Sequence, residues 1–385
     1  MAPLSVFLVS VGFCAYTLFG YPLVLALAAR LRRRSVTRAP LRPTVTVILP
    51  VYNGERWIAA KLESILRLDY PPELVEILVI DDGSTDSTEA IVRGFTERAS
   101  LQLIALERGG KAAALNAGIA RATGEILFFT DVRQDLAPQS LARLAECFAD
   151  PTVGAVSGEL VIRDGAGMEE ASVGLYWKYE KWIRKAQSRI DSVMGATGCI
   201  YAMRRELAAP LPAGTLNDDM HLPLGAFFRG YRVILEDSAR AYDFPTQLAS
   251  EFRRKVRTLA GVYQIVGHYP ALLGPRNRMW LHFVSHKLAR LLMPWAMLAA
   301  LASSLGLRDP WRTWVLAAQA AGYGLAAADL LLPEGTPLKR LSAPVRTFVT
   351  LMAASLCAVA FFFVPAGVLW RETRVSAATR RAGRE

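Results

Sequence analysis

The sequence predicts an α/β fold, a mostly parallel sheet with flanking helices, plus transmembrane helices at both ends. Three observations carry that reading. Hydrophobic residues make up 52% of the 385, but they crowd into the start of the chain and the stretch beyond residue 288. Between those regions, short β-rich runs alternate with helical stretches, the pattern of βαβ units. Arginines follow directly after the apolar segments at both ends, where basic residues mark the cytoplasmic side of a membrane.

Leu4 to Ala29 is long enough to cross a bilayer, which takes about 20 apolar residues. A secretory signal peptide fits less well. No basic segment precedes the run, no small-residue cleavage site follows it, and the arginines lie on the wrong side. An anchor with its N-terminus outside is expected. The formal net charge of +11 also has a nucleic-acid reading, but such binders gather Lys and Arg on a folded face or arm. Here Arg30, Arg32, Arg33, Arg34, Arg38 and Arg42 trail one apolar segment, and Arg371, Arg374, Arg380, Arg381 and Arg384 trail another. Membrane lipids are therefore the expected partners of this charge, and nucleic acid is not. Cys14, Cys147, Cys199 and Cys357 show no metal or redox spacing, which fits a reducing compartment for the middle of the chain.

The middle reads in order. Strands are expected at Thr44–Pro50, Val75–Ile80, Leu101–Leu106 and Glu125–Thr130, with helices at Glu55–Leu68, Asp86–Arg98 and Lys111–Ala122. In such sheets ligands sit at the C-terminal ends of the strands. Tyr231–Leu235 closes the soluble core. Ser250–Gly267 is an amphipathic helix, with Phe252, Val256 and Leu259 on one side and Arg253, Arg254 and Arg257 on another, suited to a membrane surface. Apolar segments then follow at Leu288–Leu307, Trp311–Leu332 and Thr347–Trp370, two to three of them spanning. Three crossings would put the Arg-rich tail outside, against the positive-inside tendency; one interfacial or re-entrant segment would bring it inside. The chain thus divides into an N-terminal anchor (1–30), a basic linker (31–43), an α/β domain (44–245), an interfacial helix region (246–278), a C-terminal membrane region (279–371) and a basic tail (372–385).

Candidate chemistry collects at the strand ends. Val47–Glu55 closes the first strand with a Tyr-Asn-Gly turn, for which a capped strand-to-helix loop is the plain structural reading. Asp81 and Asp82 follow the second strand directly and are placed to accept hydrogen bonds from a base or ribose, while Ser84 or Asp86 caps the next helix. Gly109-Gly110-Lys111 opens a helix, where glycines allow close backbone approach and Lys111 suits a phosphate; the P-loop spacing is missing. Asp131 follows the apolar run Ile126–Thr130 and fits a ligand for Mg or Mn, which keep oxygen ligands and bind substrate phosphates, or else an ordinary loop acid. Asn217-Asp218-Asp219-Met220-His221 starts another helix. Asp219 is either a cap or a general base for a hydroxyl, and His221 packs rather than ligates.

Together, in this order and spacing, these segments resemble the family 2 nucleotide-sugar glycosyltransferases of the membrane-integrated kind, which includes cellulose, chitin, hyaluronan and poly-N-acetylglucosamine synthases. The resemblance spans about Thr44 to Tyr263 plus the flanking apolar segments. It implies a GT-A type, Rossmann-like catalytic domain. Asp81 and Asp82 then match the acidic pair that binds the uridine part of the donor. Lys111 matches a basic position near the diphosphate, and Asp131 the first acid of the Asp-x-Asp metal motif. Asp219 matches the last acid of the Thr-Glu-Asp motif, the catalytic base. Gly195, Thr197 and Gly198 lie in a segment resembling the loop around the acceptor end. Arg254 and Arg257 resemble the Gln/Arg-x-x-Arg-Trp motif that contacts diphosphate and acceptor. Two positions depart from the pattern: Arg133 stands where the second metal-motif acid is expected, and Thr258 where the Trp is expected.

The resemblance implies an inverting transfer from a nucleotide-sugar donor, UDP-linked by the match of the acidic pair, with a divalent cation (Mg or Mn). The acceptor is a glycan or a lipid-linked species. The enzyme is expected in the inner or plasma membrane as a multi-pass protein with its catalytic domain cytoplasmic. Two alternatives stand beside it: a non-processive transferase acting on a polyprenyl phosphate or lipid, and a catalytically weak scaffold subunit of a polysaccharide export system.

Overall fold

The structure, a computed structural model, describes residues 2–98, 100–162, 168–244, 248–275, 277–333 and 336–369, with side chains from 177 onward in the helix 168–190 and from 250 onward in the helix 248–268. The basic tail at 372–385, with Arg371, lies outside the described residues. The chain forms two compact units, one of Arg32–Arg163 and Arg184–Asp243, the other of Met1–Leu31, Asp164–Ile183 and Phe244–Glu385.

In chain order, the helices α1 (Ala2–Ala15) and α2 (Tyr21–Leu31) are joined by one π-helical turn at Tyr16–Gly20. There follow β1 (Val45–Val51), α3 (Ile58–Leu66), β2 (Val75–Asp82), α4 (Thr88–Arg93), β3 (Leu101–Leu106), α5 (Lys111–Arg121), β4 (Ile126–Phe129) and β5 (Asp135–Leu136). Next come α6 (Ser140–Glu146), β6 (Val153–Ile162), α7 (Met168–Ile190), β7 (Tyr201–Arg204), α8 (Asp218–Phe228), β8 (Arg232–Asp243) and α9 (Leu248–His268). The chain closes with α10 (Trp280–Phe283), α11 (Ala289–Ser304), α12 (Trp311–Ala328), α13 (Pro337–Cys357) and α14 (Ala366–Leu369).

The α/β unit is built on one eight-stranded sheet in the order β3-β2-β1-β4-β7-β6-β8-β5. Its first half is the parallel βαβ arrangement that the alternation of runs predicts: β1 pairs in parallel with β2 and β4, and β2 with β3. These strands are covered on both faces, so they read as near-continuous apolar runs; Val47, Ile48, Leu49, Leu78, Val79 and Phe128 are all fully buried. Beyond β4 the sheet is mixed. β7 enters antiparallel between β4 and β6, whereas β6 and β8 pair in parallel. The resulting geometry matters for chemistry. The C-terminal ends of β1, β2, β4 and β8 and the N-terminal end of β7 all fall on one edge, since Val51 pairs with Asp81 and Phe129 with Tyr201.

The linker carries arginines at every fourth position, and three of them face the α/β unit. Arg34 pairs with Asp191 at 2.8 Å, Arg38 with Glu236 at 2.7 Å, and Arg42 lies 3.9 Å from Glu146 and over the Tyr70 ring. These arginines remain partly exposed, so each pair contributes at most about 1 kcal/mol. The deeper clasp is Arg232, only 1% exposed. Its guanidinium donates to the carbonyls of Arg34, Ser35, Ser188 and Asp191, fixing the linker to the end of α7 and the start of β8.

The other unit is helical. Tyr16 hydrogen-bonds Ser285 at 2.7 Å, Tyr21 bonds His282 at 3.2 Å, and Tyr21 stacks on His286. Glu180 of α7 accepts from Arg290 at 2.5 Å and lies 3.3 Å from His286. Between α12 and α13, Asp329 is 1% exposed and takes Lys339, Ser342 and Arg346 together. Among the described residues, two helices are long and apolar enough to cross a membrane, Ala2–Leu31 and Pro337–Phe362. In the first, Leu8, Val9, Phe19 and Leu23 point away from the protein. The last apolar helix begins ten residues earlier than the hydrophobic run at Thr347 suggests, at Pro337 after Thr336. The cause is Asp329: it takes up the charge of the buried Lys339 and the half-buried Arg346, which lets a helix carrying both cations form there.

Arg232 donates to four carbonyls, and its removal takes that donor from all of them. Arg232→Met is expected to cost about 3 kcal/mol or more of stability, read as a clear fall in the thermal midpoint of the detergent-solubilised protein. A neutral surface substitution such as Arg93→Lys, whose partner is the exposed Glu89, should leave that midpoint within a degree or two (about 0.5 kcal/mol or less).

Candidate functional site at the strand ends

The edge formed by β1, β2, β4 and β7 gathers the acids singled out from the sequence. Asp81 and Asp82, at the end of β2, are each 2% exposed. Both have protein partners. Ser84 donates to Asp81 through its backbone N–H at 3.1 Å and through its hydroxyl. Asp82 accepts from the backbone N–H groups of Gly109 at 2.8 Å and Gly110 at 3.0 Å, and pairs with Arg108, which itself lies over the Tyr52 ring. Gly110 can present its N–H this way because it adopts a positive φ of 87°, a conformation that glycine takes freely. Asp82 therefore shapes the loop that opens α5. The Asn53 and Asp86 turns are mutually braced: Thr85 N–H donates to Asn53, Glu55 N–H to Asp86, and Asp86 also takes the first N–H of α4, from Thr88. The expected cap at this helix start is thus Asp86, while Ser84 serves Asp81.

Lys111, the first residue of α5, is aimed across the sheet edge. Its ammonium lies 3.0 Å from Asp131 Oδ1 and 3.2 Å from Asp218 Oδ1. Burial opposes its charge, but Asp131, Asp218 and Asp219 outweigh that cost and hold Lys111 above the usual lysine range. Asp219 sits beside Asp218 in the first turn of α8. A helix N-terminus favours the carboxylate form, yet here the balance goes the other way. Enclosure by protein atoms and the neighbouring charge of Asp218 push Asp219 up to about 6, against the opposing pull of Lys111 and Arg184.

The Gly195–Cys199 segment wraps this carboxylate. Gly195 has a φ of 117°, and Ala196 N–H donates to the Asp219 carbonyl at 2.7 Å. A Cβ on Gly198 would stand 3.1 Å from Asp219 Oδ2. Thr197 is held from behind by Arg184 at 2.8 Å and by the Ser157 hydroxyl, which accepts the Thr197 N–H at 2.9 Å. The structure thus brings Lys111, Asp131, Asp219, Gly195, Thr197 and Gly198 together, with Asp81 and Asp82 on the same edge. Arg254 and Arg257 lie on α9 in the helical unit. There Arg254 grips Glu251 through two nitrogens, at 2.7 and 3.0 Å, and lies over the Trp177 ring. Thr258 turns its hydroxyl back onto the Arg254 carbonyl at 2.8 Å.

Lys61 and Tyr201 at this edge carry no sequence signal, while Arg133 and His221 are read from the sequence. Lys61 reads as one lysine of an amphipathic helix, but it is 2% exposed and donates to Thr130 Oγ1 at 2.6 Å and the Gln134 carbonyl at 2.7 Å. Burial lowers its pKa to about 8. Arg133 does not face Asp131's role; it turns to Asp243 at the end of β8, at 2.5 Å, where Gln134 also donates. Tyr201, fully buried at the start of β7, has a hydroxyl with no hydrogen-bond partner among the described residues. Such a group costs about 1–3 kcal/mol. His221 is buried in α8, and among the described residues no group of three or more His, Cys, Asp and Glu side chains is arranged to hold a metal ion.

The closeness of Gly198 to Asp219 gives a direct check. Gly198→Ala must displace the carboxylate by a few tenths of an ångström, so kcat is expected to fall roughly tenfold or more while the thermal midpoint changes little. Steady-state turnover and a thermal melt measure it.

Comparison with known proteins identifies the family. The model for glycosyl transferase family 2 matches residues 46–210, and that for glycosyl transferase family group 2 matches residues 134–366, well over half of the chain. An N-acetylglucosaminyltransferase of Rhizobium meliloti is 31% identical over 234 residues, 56% of this chain and 54% of that protein. An N-acetylglucosaminyltransferase of Rhizobium sp. is 28% identical over 293 residues, 71% of this chain and 65% of the relative. The poly-beta-1,6-N-acetyl-D-glucosamine synthase of Staphylococcus aureus is 25% identical over 229 residues, 58% of this chain and 55% of the synthase. The matches thus span between about half and two thirds of these relatives' lengths. Among solved structures, a mannosyltransferase from Pyrobaculum calidifontis, in complex with GDP-Man and Mn2+, superposes with a TM-score of 0.73 at 28% identity, covering 93% of this chain and 99% of the other. With a family model across most of the chain and a GT-A-like sheet edge beneath it, this chain belongs to the family 2 glycosyltransferases.

Proposed function

We propose that the chain moves a sugar from a nucleotide-sugar donor to a polysaccharide or lipid-linked acceptor at a membrane, with inversion at the anomeric carbon. The observation that carries this reading is Asp219. It is a partly enclosed carboxylate at the ligand-binding edge of the sheet, raised to about 6 and faced by Lys111 and the Gly195–Gly198 segment. A base tuned towards neutrality suits removal of a hydroxyl proton. In the step, the acceptor hydroxyl passes its proton to Asp219, its oxygen bonds to the anomeric carbon, and the bond to the diphosphate oxygen breaks on the opposite face. Lys111 offsets the charge that builds on the leaving diphosphate.

The Pyrobaculum relative was solved with Mn2+, and the residues here fit one part of such a site. Mg and Mn take one or two protein carboxylates and fill the rest of their shell with water and substrate phosphates. Asp131, 37% exposed at its side chain, has one oxygen on Lys111 and offers the other. Arg133 is engaged with Asp243, so Asp131 alone represents the metal motif. A divalent cation held there would supply Lewis-acid stabilisation of the diphosphate. Asp81 and the Asp82-braced loop are proposed to receive the nucleoside, and Arg254 and Arg257 the diphosphate. The two apolar helices support a membrane-embedded enzyme with its α/β unit on the cytoplasmic side. Thr258 in place of the motif Trp favours a second reading in which one sugar is added per acceptor rather than a long chain.

A panel of UDP- and GDP-sugars, incubated with the purified full-length protein in lipid, tests the proposal by release of nucleoside diphosphate and by product size. Asp219→Asn is expected to reduce transfer by about a hundredfold or more while leaving donor binding by calorimetry largely intact. Near-normal turnover in that variant would remove Asp219 as the base. The raised value also fixes a pH limb. Because the base must be ionised, kcat/KM, which reports the free enzyme, should fall as pH drops through about 6. A limb near the ordinary aspartate value, about 4, would contradict the enclosure described for Asp219.

A further inference from the structure

Tyr201 is a strand residue whose ring needs no hydroxyl. It stacks on Phe129 with centroids 4.6 Å apart and planes at 9°, in register across the β4–β7 pair, and it is wholly buried. A phenylalanine would fill the same space and avoid an unpartnered polar atom, yet the hydroxyl is present and makes no hydrogen bond among the described residues. Buried polar groups without partners ask for a reason. Its surroundings supply one. Phe129 stands two residues before Asp131, and Tyr201 lies close in sequence after Gly198, where an added Cβ would stand 3.1 Å from Asp219 Oδ2. The charges of Asp218, Asp219 and Asp131 all act on the hydroxyl. An O–H dipole that feels negative charge turns its proton towards it.

We propose that Tyr201 is a positioning residue for the Asp218–Asp219 pair, its hydroxyl donating to these carboxylates, directly or through one buried water, once the acceptor is bound. Hydrogen bonds of this kind are commonly long without substrate and tighten in the reacting complex. The stack on Phe129 fixes the ring, so the donor is held ready and the carboxylates need only settle onto it. With Lys111 on Asp218 and Tyr201 behind the pair, Asp219 would keep the single orientation that points its free oxygen at the acceptor. The inference rests on the reading of Asp219 as base.

The test compares Tyr201→Phe with wild type and with Asp219→Asn, all as full-length protein in lipid, using the nucleotide sugar that wild type turns over. Tyr201→Phe removes only the hydroxyl. The expected result is a thermal midpoint equal to or above that of wild type, a donor KM within about twofold, and a kcat lower by roughly tenfold or more. A kcat within about twofold of wild type would overturn the proposal. So would a parallel loss of thermal midpoint and kcat, which marks a structural role. Failure of the parent reading is seen separately: it appears as activity retained in Asp219→Asn, whatever Tyr201→Phe does.

Discussion

Three carboxylates meet at one sheet edge, and the ammonium of Lys111 is what makes that arrangement tenable. Asp131 follows β4 while Asp218 and Asp219 open α8, and without a cation their mutual repulsion in a poorly hydrated pocket would drive these elements apart or protonate one of the acids. Lys111 reaches the first two and leaves the third partly uncompensated. The result is a graded set of acids in one cluster: two ion-paired and one poised between its charged and neutral forms. Much of the surrounding structure serves this balance. Gly110 opens α5 so that Lys111 points inward, and Asp82 holds Gly110 in place. Lys61 braces the end of β4 from behind through Thr130.

Arg133 alters the same balance. Where a second carboxylate of the motif would add negative charge beside Asp131, this chain places a cation and directs it to Asp243. The acid cluster is therefore less negative than the motif would make it, and Asp131 keeps Lys111 as its partner. The two features belong together: a site with fewer acids needs only one internal cation to remain folded.

Much of the fold was legible in the sequence, because the parallel half consists of buried strands and helices of ordinary length. The apolar runs at Thr44–Pro50, Val75–Ile80 and Leu101–Leu106 mark β1, β2 and β3 to within a residue or two. The mixed half was not. β7 is only four residues long, and its antiparallel insertion depends on long-range pairing with Phe129 and Val156 that leaves no periodic trace. β8 extends to Asp243 because its later residues alternate in burial against β6, although Arg240 and Asp237 hide the apolar pattern. For the candidate site, Asp81, Lys111, Asp131 and Asp219 stand out because each follows a strand or opens a helix. Arg184, Tyr201 and Lys61 do not: each sits in an element whose composition explains it fully, and only the fold brings it to the acids.

The linker arginines have a consequence for how membrane orientation is probed. A common approach neutralises or reverses basic residues beside a span and follows which side the following domain reaches. In this chain Arg34, Arg38 and Arg42 are also fastened to Asp191, Glu236 and Glu146. Substituting them changes the insertion signal and loosens the tether of the α/β unit in the same stroke. Arg30, Arg32 and Arg33 have no such double duty among the ion pairs of the described residues, so insertion signals are best dissected there.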